Sequence, residues 1–165
     1  MPDVSGGVGG LLRTSGDRGA PVAEGEPTQL VHQLVDGFNR GSVDAVAHLL
    51  HPQVMDHHLP DGTAPGIDGI RRWWDLLHAA FDLHVDIDDV IEGADRVATR
   101  MTVYASHVGT FLGHPPTGRA CVLPVLTIER FDGGQLVERW QVGDTLRASR
   151  RLGLPTSSVP GSTRR

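Results

Sequence analysis

Apolar positions recur with a helical period in the first half of the chain and with a strand period in the second. Leu30, Val31, Leu34, Val35 and Phe38 fall at i, i+1, i+4, i+5 and i+8, one face of a 3.6-residue repeat. Pro27 or Thr28 opens that helix and Gly41 stops it. Ser42 caps a short second helix, with Asp44 in its first turn and Val43, Val46, Leu49 and Leu50 apolar, and Pro52 ends it. Residues 53–58 form a short extended piece, and residues 59–66 (LPDGTAPG) a turn-rich loop. A third helix starts near Ile67, because Ile67, Ile70, Trp74, Leu77 and Phe81 are spaced by three and four.

From Leu83 the period becomes two. Leu83, Val85 and Ile87 alternate with His84, Asp86 and Asp88. Val97, Thr99, Met101, Val103, Ala105 and His107 share one face of the next strand, opposite Arg100, Thr102 and Tyr104. Residues 121–131 form a long apolar strand in which Pro124 marks a bulge or an edge position. Gly93-Ala94-Asp95 and Asp132-Gly133-Gly134 read as hairpin turns. Residues 136–142 are the last long strand, and residues 145–152 a terminal helical turn. Three helices followed by a meander predict an α+β fold with segregated elements. Residues 1–26, rich in glycine with no apolar period, read as a disordered arm, and residues 155–165 as a disordered tail. One domain, residues 27–154, lies between them.

The balance of 15 Lys and Arg against 20 Asp and Glu leaves a net charge of −5, which argues against a nucleic-acid or anionic-membrane partner. The single cysteine, Cys121, cannot form an internal disulfide, so nothing points to an oxidising compartment. No apolar run of about 18 residues predicts a membrane span, and no basic segment followed by an apolar one predicts a secretory leader. The expected location is the cytoplasm.

No HExxH or Cys/His set with metal spacing is present, and His57 and His58, being adjacent on an extended piece, point to opposite faces. No metal is expected. Neither a glycine-rich phosphate loop, nor a GxSxG elbow, nor a Cys beside a His suggests nucleotide binding or covalent catalysis. General acid–base chemistry remains, with Asp56, His57, His58, His107 and Asp144 as candidates and Arg139 and Gln141 as polar supports. Asp56 and His57 close the extended piece just before a loop, a common position for pocket groups, although an Asp there also caps loop backbone. His107 shares the apolar face of its strand, as a catalyst or as a satisfied core residue. Trp74 lies on the helical core stripe, which serves packing and is compatible with lining a pocket. Arg139 and Gln141 share one face, opposite Glu138 and Trp140, and the pattern alone leaves open which face looks inward.

Several segments carry a resemblance: FNRGSVDAVAHLLHPQVMDHH, PGIDGIRRWW, SHVGTFLGHPPTGR, and IERFDGGQLVERWQVGD followed by LRASRRLG. In order and spacing they resemble the SnoaL-like polyketide cyclases, the ester cyclase branch of the nuclear transport factor 2-like superfamily. The resemblance spans residues 30–153. It implies a cone-shaped α+β barrel: three N-terminal helices packed in a strongly curved antiparallel sheet around a deep apolar pocket. It also implies a small hydrophobic substrate, no cofactor, and a homodimer formed through the sheet. In the cyclases of this family an Asp on the last long strand serves an intramolecular aldol closure, and that position here is Gln141, which cannot carry a proton. Arg139 stands where relatives often have His. Polar pocket positions of the anthracycline-type cyclases correspond to Val125 and Thr127, and a pocket Asn corresponds to Asp56. The catalytic set implied is Asp56, His57 and Gln141. Phe38, Trp74, His107, Val125, Thr127, Arg139 and Asp144 are expected to bind substrate.

Three functions follow as expectations. The first is a cofactor-independent cyclase closing a ring in a polyketide or related secondary metabolite, with Asp56 as acid/base tuned by His57 or His107, and Arg139 and Gln141 polarising an oxygen. The second is an epoxide hydrolase or epoxide-opening ether cyclase, which needs two inward carboxylates, Asp56 and Asp144. The third is a non-catalytic module for hydrophobic ligands or dimerisation, favoured if the core is filled and lacks a cavity of about 300 Å³. For assembly, the late strands carry apolar bulk on both faces, Val122, Leu126 and Ile128 on one and Leu123, Val125 and Phe131 on the other. Trp140 is the expected anchor of a two-fold contact.

Overall fold

A computed structural model describes residues 25–155. The predicted arm and tail lie outside that range, apart from Gly25, Glu26 and Pro155. The chain runs α1 (Glu26–Asn39), a six-residue 3₁₀ turn (Asp44–Leu49), β1 (Leu50–Asp56), α2 (Ile67–Ala80), β2 (Phe81–Glu92), β3 (Arg96–His107), β4 (Ala120–Asp132), β5 (Gln135–Gly143) and α3 (Thr145–Leu152). The five strands form one curved, unclosed sheet in the order β1-β5-β4-β3-β2. β2 to β5 are an antiparallel meander, whereas β1 runs parallel to β5. That pairing departs from the antiparallel sheet expected throughout. Pro52 does not end a helix but lies inside β1, an edge strand, where the missing N–H costs no ladder bond on the open side.

The hydrophobic pattern explains the layers. α1 buries Leu30, Val31 and Leu34, and α2 buries Ile70 and Trp74, against Val97, Phe131 and Leu136 of the sheet. Each fully buried aliphatic side chain contributes roughly 1.5–3 kcal/mol by leaving water. The N-cap of the 3₁₀ turn is Val43 rather than Ser42, whose Oγ accepts from the Ala45 N–H at 3.3 Å one residue further out. The open edge of β2 is covered where Asn39, at the end of α1, copies a strand: its Nδ2 donates to the Val85 carbonyl at 2.9 Å and its Oδ1 accepts from the Val85 N–H at 2.8 Å. Pro124 pairs with Thr102 on β3 and sits one residue before the β4–β5 ladder begins at Val125, so β4 has a free edge there. Gly133 and Gly134, at φ 54° and 76°, close the β4–β5 hairpin as two residues in the left-handed region. That tight turn sets the register on which the site depends.

Candidate active site

The inward face of the cone holds a cavity of about 220 Å³, walled by Phe38, Trp74, Leu77, Phe81, Val85 and Val125 among others. Phe38 meets Trp74 edge to face, with ring centroids 4.9 Å apart. The volume falls short of the 300 Å³ mark, but the core is not filled. Three charged or amide side chains enter this wall from facing positions of β4 and β5: Glu129, Arg139 and Gln141.

Register explains their meeting. Glu129 on β4 lies directly opposite Arg139 on β5, and Asp56 at the end of β1 lies opposite Arg139 on its other side. Three adjacent strands therefore set carboxyl, guanidinium and carboxyl in a row. Arg139 hydrogen-bonds to one side only. Its Nε donates to Asp56 Oδ2 at 3.0 Å, and its Nη2 makes a second, shorter bond to the same oxygen. The other Asp56 oxygen accepts from the His58 backbone N–H at 3.0 Å. Burial would raise the Asp56 carboxyl, but the charge and hydrogen bonds of Arg139 outweigh it and hold the group below its ordinary value. Asp56 is thus a fixed anion, its side chain 1% exposed.

Glu129 is 4% exposed, and its Oε2 has no hydrogen-bond partner among the described residues. Burial pushes its carboxyl up to about 7; Asp56 adds to the rise, while Arg139 and the neighbouring Thr127 hydroxyl oppose it. One cation between two buried carboxyls can neutralise one of them, and the pairing with Asp56 leaves Glu129 as the other. His58 lines the same cavity, and burial lowers its pKa against the pull of Asp56.

The structure places the residues singled out from the sequence in two groups. Phe38, Trp74, Val125, Arg139 and Gln141 line the cavity, and Asp56 braces Arg139 from behind. Thr127 is buried on the same face but is not in the cavity wall. The remaining three lie elsewhere. His57 follows Asp56 by one residue and turns to the outer face, stacking on Trp140 at 5.1 Å and bonding Glu138 at 2.9 Å. Strand alternation makes this unavoidable once Asp56 points in. Asp144 caps α3, accepting from the Arg147 N–H at 2.9 Å, and is exposed.

His107 is wholly buried and is not in the cavity wall, and its Nε2 has no hydrogen-bond partner among the described residues. Its Nδ1 accepts from the Thr117 N–H at 3.2 Å, and its ring packs against Phe81 with centroids 5.1 Å apart. Thr117 Oγ1 in turn donates to the Leu152 carbonyl at 2.7 Å, tying the loop of residues 108–119 to α3. Gly109 tucks that loop under the end of α2, its N–H on the Ala80 carbonyl at 2.8 Å. A Cβ there would stand 2.0 Å from the Ala79 carbonyl oxygen, which only glycine avoids. The turn-rich segment SHVGTFLGHPPTGR is therefore a strut that carries Phe111 to the cavity wall.

Glu129 was not among the residues singled out, although a signal for it was present. Val125, Thr127, Glu129 and Phe131 share strand parity, so a glutamate on an otherwise apolar inward face was visible in the alternation.

The fold is an open, curved α+β cone whose apolar cavity carries a short polar row. The model of the SnoaL-like polyketide cyclase family matches residues 28–152, and the chain belongs to that family of enzymes. Aklanonic acid methyl ester cyclase AcmA of Streptomyces galilaeus is 27% identical over 133 residues, 79% of this chain and 92% of the relative. Aklanonic acid methyl ester cyclase DnrD of Streptomyces peucetius is 25% identical over 136 residues, 80% of this chain and 94% of the relative. The solved structure of TsrD from Streptomyces laurentii superposes with a TM-score of 0.72 at 26% identity, covering 82% of this chain and all of that one. Among the described residues no helix is long and apolar enough to cross a membrane, and no group of three or more His, Cys, Asp or Glu is placed to hold a metal.

Proposed function

We propose that this polyketide cyclase closes a ring of a polyketide ester by an aldol-type step, with acid–base catalysis by the protein's own side chains and no cofactor. The observation that carries this reading is the meeting of an apolar, aromatic-lined cavity with a polar row at the β4–β5 face. The apolar wall folds a flexible chain so that its reacting carbons come together. Arg139 and the Gln141 amide N–H supply donors for the carbonyl oxygen on which negative charge develops. A ring-opening hydrolase needs two free inward carboxylates, and Asp144 lies outside while Asp56 is committed to Arg139.

The test uses aklanonic acid methyl ester, the compound in the relatives' names, with enzyme dialysed against a chelator. The expected result is an isomer of unchanged mass, formed faster than without enzyme and separable by chromatography. If no enzyme-dependent isomer forms, ring closure of such esters is lost as the function. Activity that appears only when a metal or cofactor is returned defeats the cofactor-free part.

For assembly we propose a homodimer through the outer face of the sheet. Val142 is 72% exposed and Leu126 57%, and Val122, Ile128 and Tyr104 extend the patch. A second copy of this chain offers the same apolar surface, the self-complementarity that a two-fold contact requires.

A further inference from the structure

We propose that Glu129 is the catalytic residue that takes and returns the proton, one strand over from the position the family's usual acid occupies. The inference rests on the ring-closing reading above and adds the group that performs it. Gln141, at the usual position, cannot exchange a net proton. Asp56 faces Arg139 with one oxygen and the His58 N–H with the other, so its lone pairs are engaged away from the cavity. Glu129 is in the cavity wall, buried, with one oxygen unpartnered. It lies diagonally across the β4–β5 ladder from Gln141, since Gln141 pairs with Thr127 and Glu129 with Arg139. An acid moved from Gln141 to Glu129 therefore still reaches a substrate held by the same two strands.

The charge count supports the assignment independently of register. Asp56, Glu129 and Arg139 carry at most two negative charges and one positive, and the Arg139 ion pair is made with Asp56. Glu129 keeps one oxygen without a hydrogen bond among the described residues, and burial, only partly opposed by Arg139 and the Thr127 hydroxyl, pushes its carboxyl up to about 7, so both its forms are present at neutral pH. Ring closure then balances. The Glu129 carboxylate takes the proton from a carbon between two carbonyls. The C–H pair moves into an enolate whose oxygen accepts from Arg139 or Gln141. The enolate carbon attacks the ketone carbon, forming the new C–C bond as the carbonyl π pair moves to oxygen. That alkoxide takes the proton back from Glu129.

The experiment uses nitrobenzisoxazole, an apolar aromatic probe that a buried carboxylate opens by removing its C–H proton as the N–O bond breaks, releasing a coloured cyano-nitrophenolate. Wild type is expected to open it faster than free acetate, with a rate rising through one ionisation near pH 7. Glu129→Gln should lower that rate by about a hundredfold. Asp56→Asn should keep the reaction and move its midpoint to lower pH, because Asp56 raises Glu129 and Arg139, once freed, lowers it. Carboxyl NMR of glutamate-labelled wild type should show one side chain with a midpoint near 7, lost in Glu129→Gln. A wild-type rate no better than acetate, an unchanged rate in Glu129→Gln, or a Glu129 midpoint at the ordinary value of 4.5 would each overturn the proposal. None of these measurements depends on the natural substrate, so failure of the ester assay alone removes the ring-closing reading and leaves Glu129 as the proton carrier.

Discussion

The two faces of the β4–β5 hairpin invert the usual rule of globular proteins. Inward, the hairpin buries Thr127 and Glu129 and half-buries Arg139 and Gln141 within an apolar cone; outward, it shows Leu126, Ile128 and Val142, with Trp140 half-buried among them. Neighbouring residues of the same two strands thus carry polar groups where burial is expensive and apolar groups where burial is absent. Each is costly to the isolated subunit, which is why each face points to a task beyond folding. The lesson lies in the difference between the costs. The inner face offsets its burial with one ion pair and leaves a single carboxyl over. On the outer face Trp140 is covered, stacked on His57 and overlain by Arg96 at 5.8 Å, while Leu126, Ile128 and Val142 stay exposed among the described residues.

Breaking the inner pair should have the largest effect. Arg139→Met strands Asp56 as a buried, unpaired carboxylate and is expected to cost about 3–5 kcal/mol in urea unfolding, with much of that recovered when Asp56→Asn is added. A loss below about 1 kcal/mol in the single variant would mean that the pair is not what permits the buried charge.

The next effect is a pH dependence. The Glu129 carboxyl lies at about 7 in the fold against 4.5 in the open chain, so the native state keeps a proton that the unfolded state gives up. Its contribution is full below pH 4.5 and is lost as pH rises to about 7. The change is about 3 kcal/mol, from 1.36 kcal/mol per unit. Asp56, lowered from 3.8, acts below that window. His58, lowered from 6.5, gives the opposite slope in wild type and variant alike. Thermal unfolding of wild type and Glu129→Gln across pH 4 to 8 isolates the term: the stability difference should shift by that amount toward the variant as pH rises. A difference independent of pH would contradict it.

The smallest effect on the fold, and the sharpest on assembly, belongs to the outer face. Leu126→Glu should change subunit stability by no more than about 0.5 kcal/mol, as exposed substitutions do. The same variant should abolish association in light scattering at micromolar protein, and Trp140→Glu should weaken it. A wild-type species at the mass of one chain, 17.7 kDa, would refute the dimer. A Trp140→Glu variant that stays fully associated would remove Trp140 as its anchor.

Much of this was legible along the chain. The helical stripes of α1 and α2 and the glycine pair at 133–134 placed four of the main elements, α1, α2, β4 and β5, because local periodicity and turn chemistry are properties of adjacent residues. Strand parity put Trp140 opposite Arg139 and Gln141, and the same alternation set Glu129 among Val125, Thr127 and Phe131. Parity says which residues share a face, not what each meets there. His107 shows the gap: its inward direction followed from the alternation of β3, yet its partner, Thr117, is supplied by a loop folding back ten residues on. Asp144 shows it again: expected as a pocket acid, it caps α3 instead, which only the position of α3 decides.

What the sequence by itself determined is the set of faces: which side chains of each helix and strand look the same way, where the turns fall, and that a family of cone-shaped cyclases shares this order of elements. What only the tertiary structure decided is the parallel pairing of β1 with β5. That pairing brings Asp56 to Arg139 across 83 residues of sequence. No local period encodes such a contact, because its entropy cost is met only by the finished sheet. Yet it selects which carboxyl claims the one cation, and so which is left to move a proton.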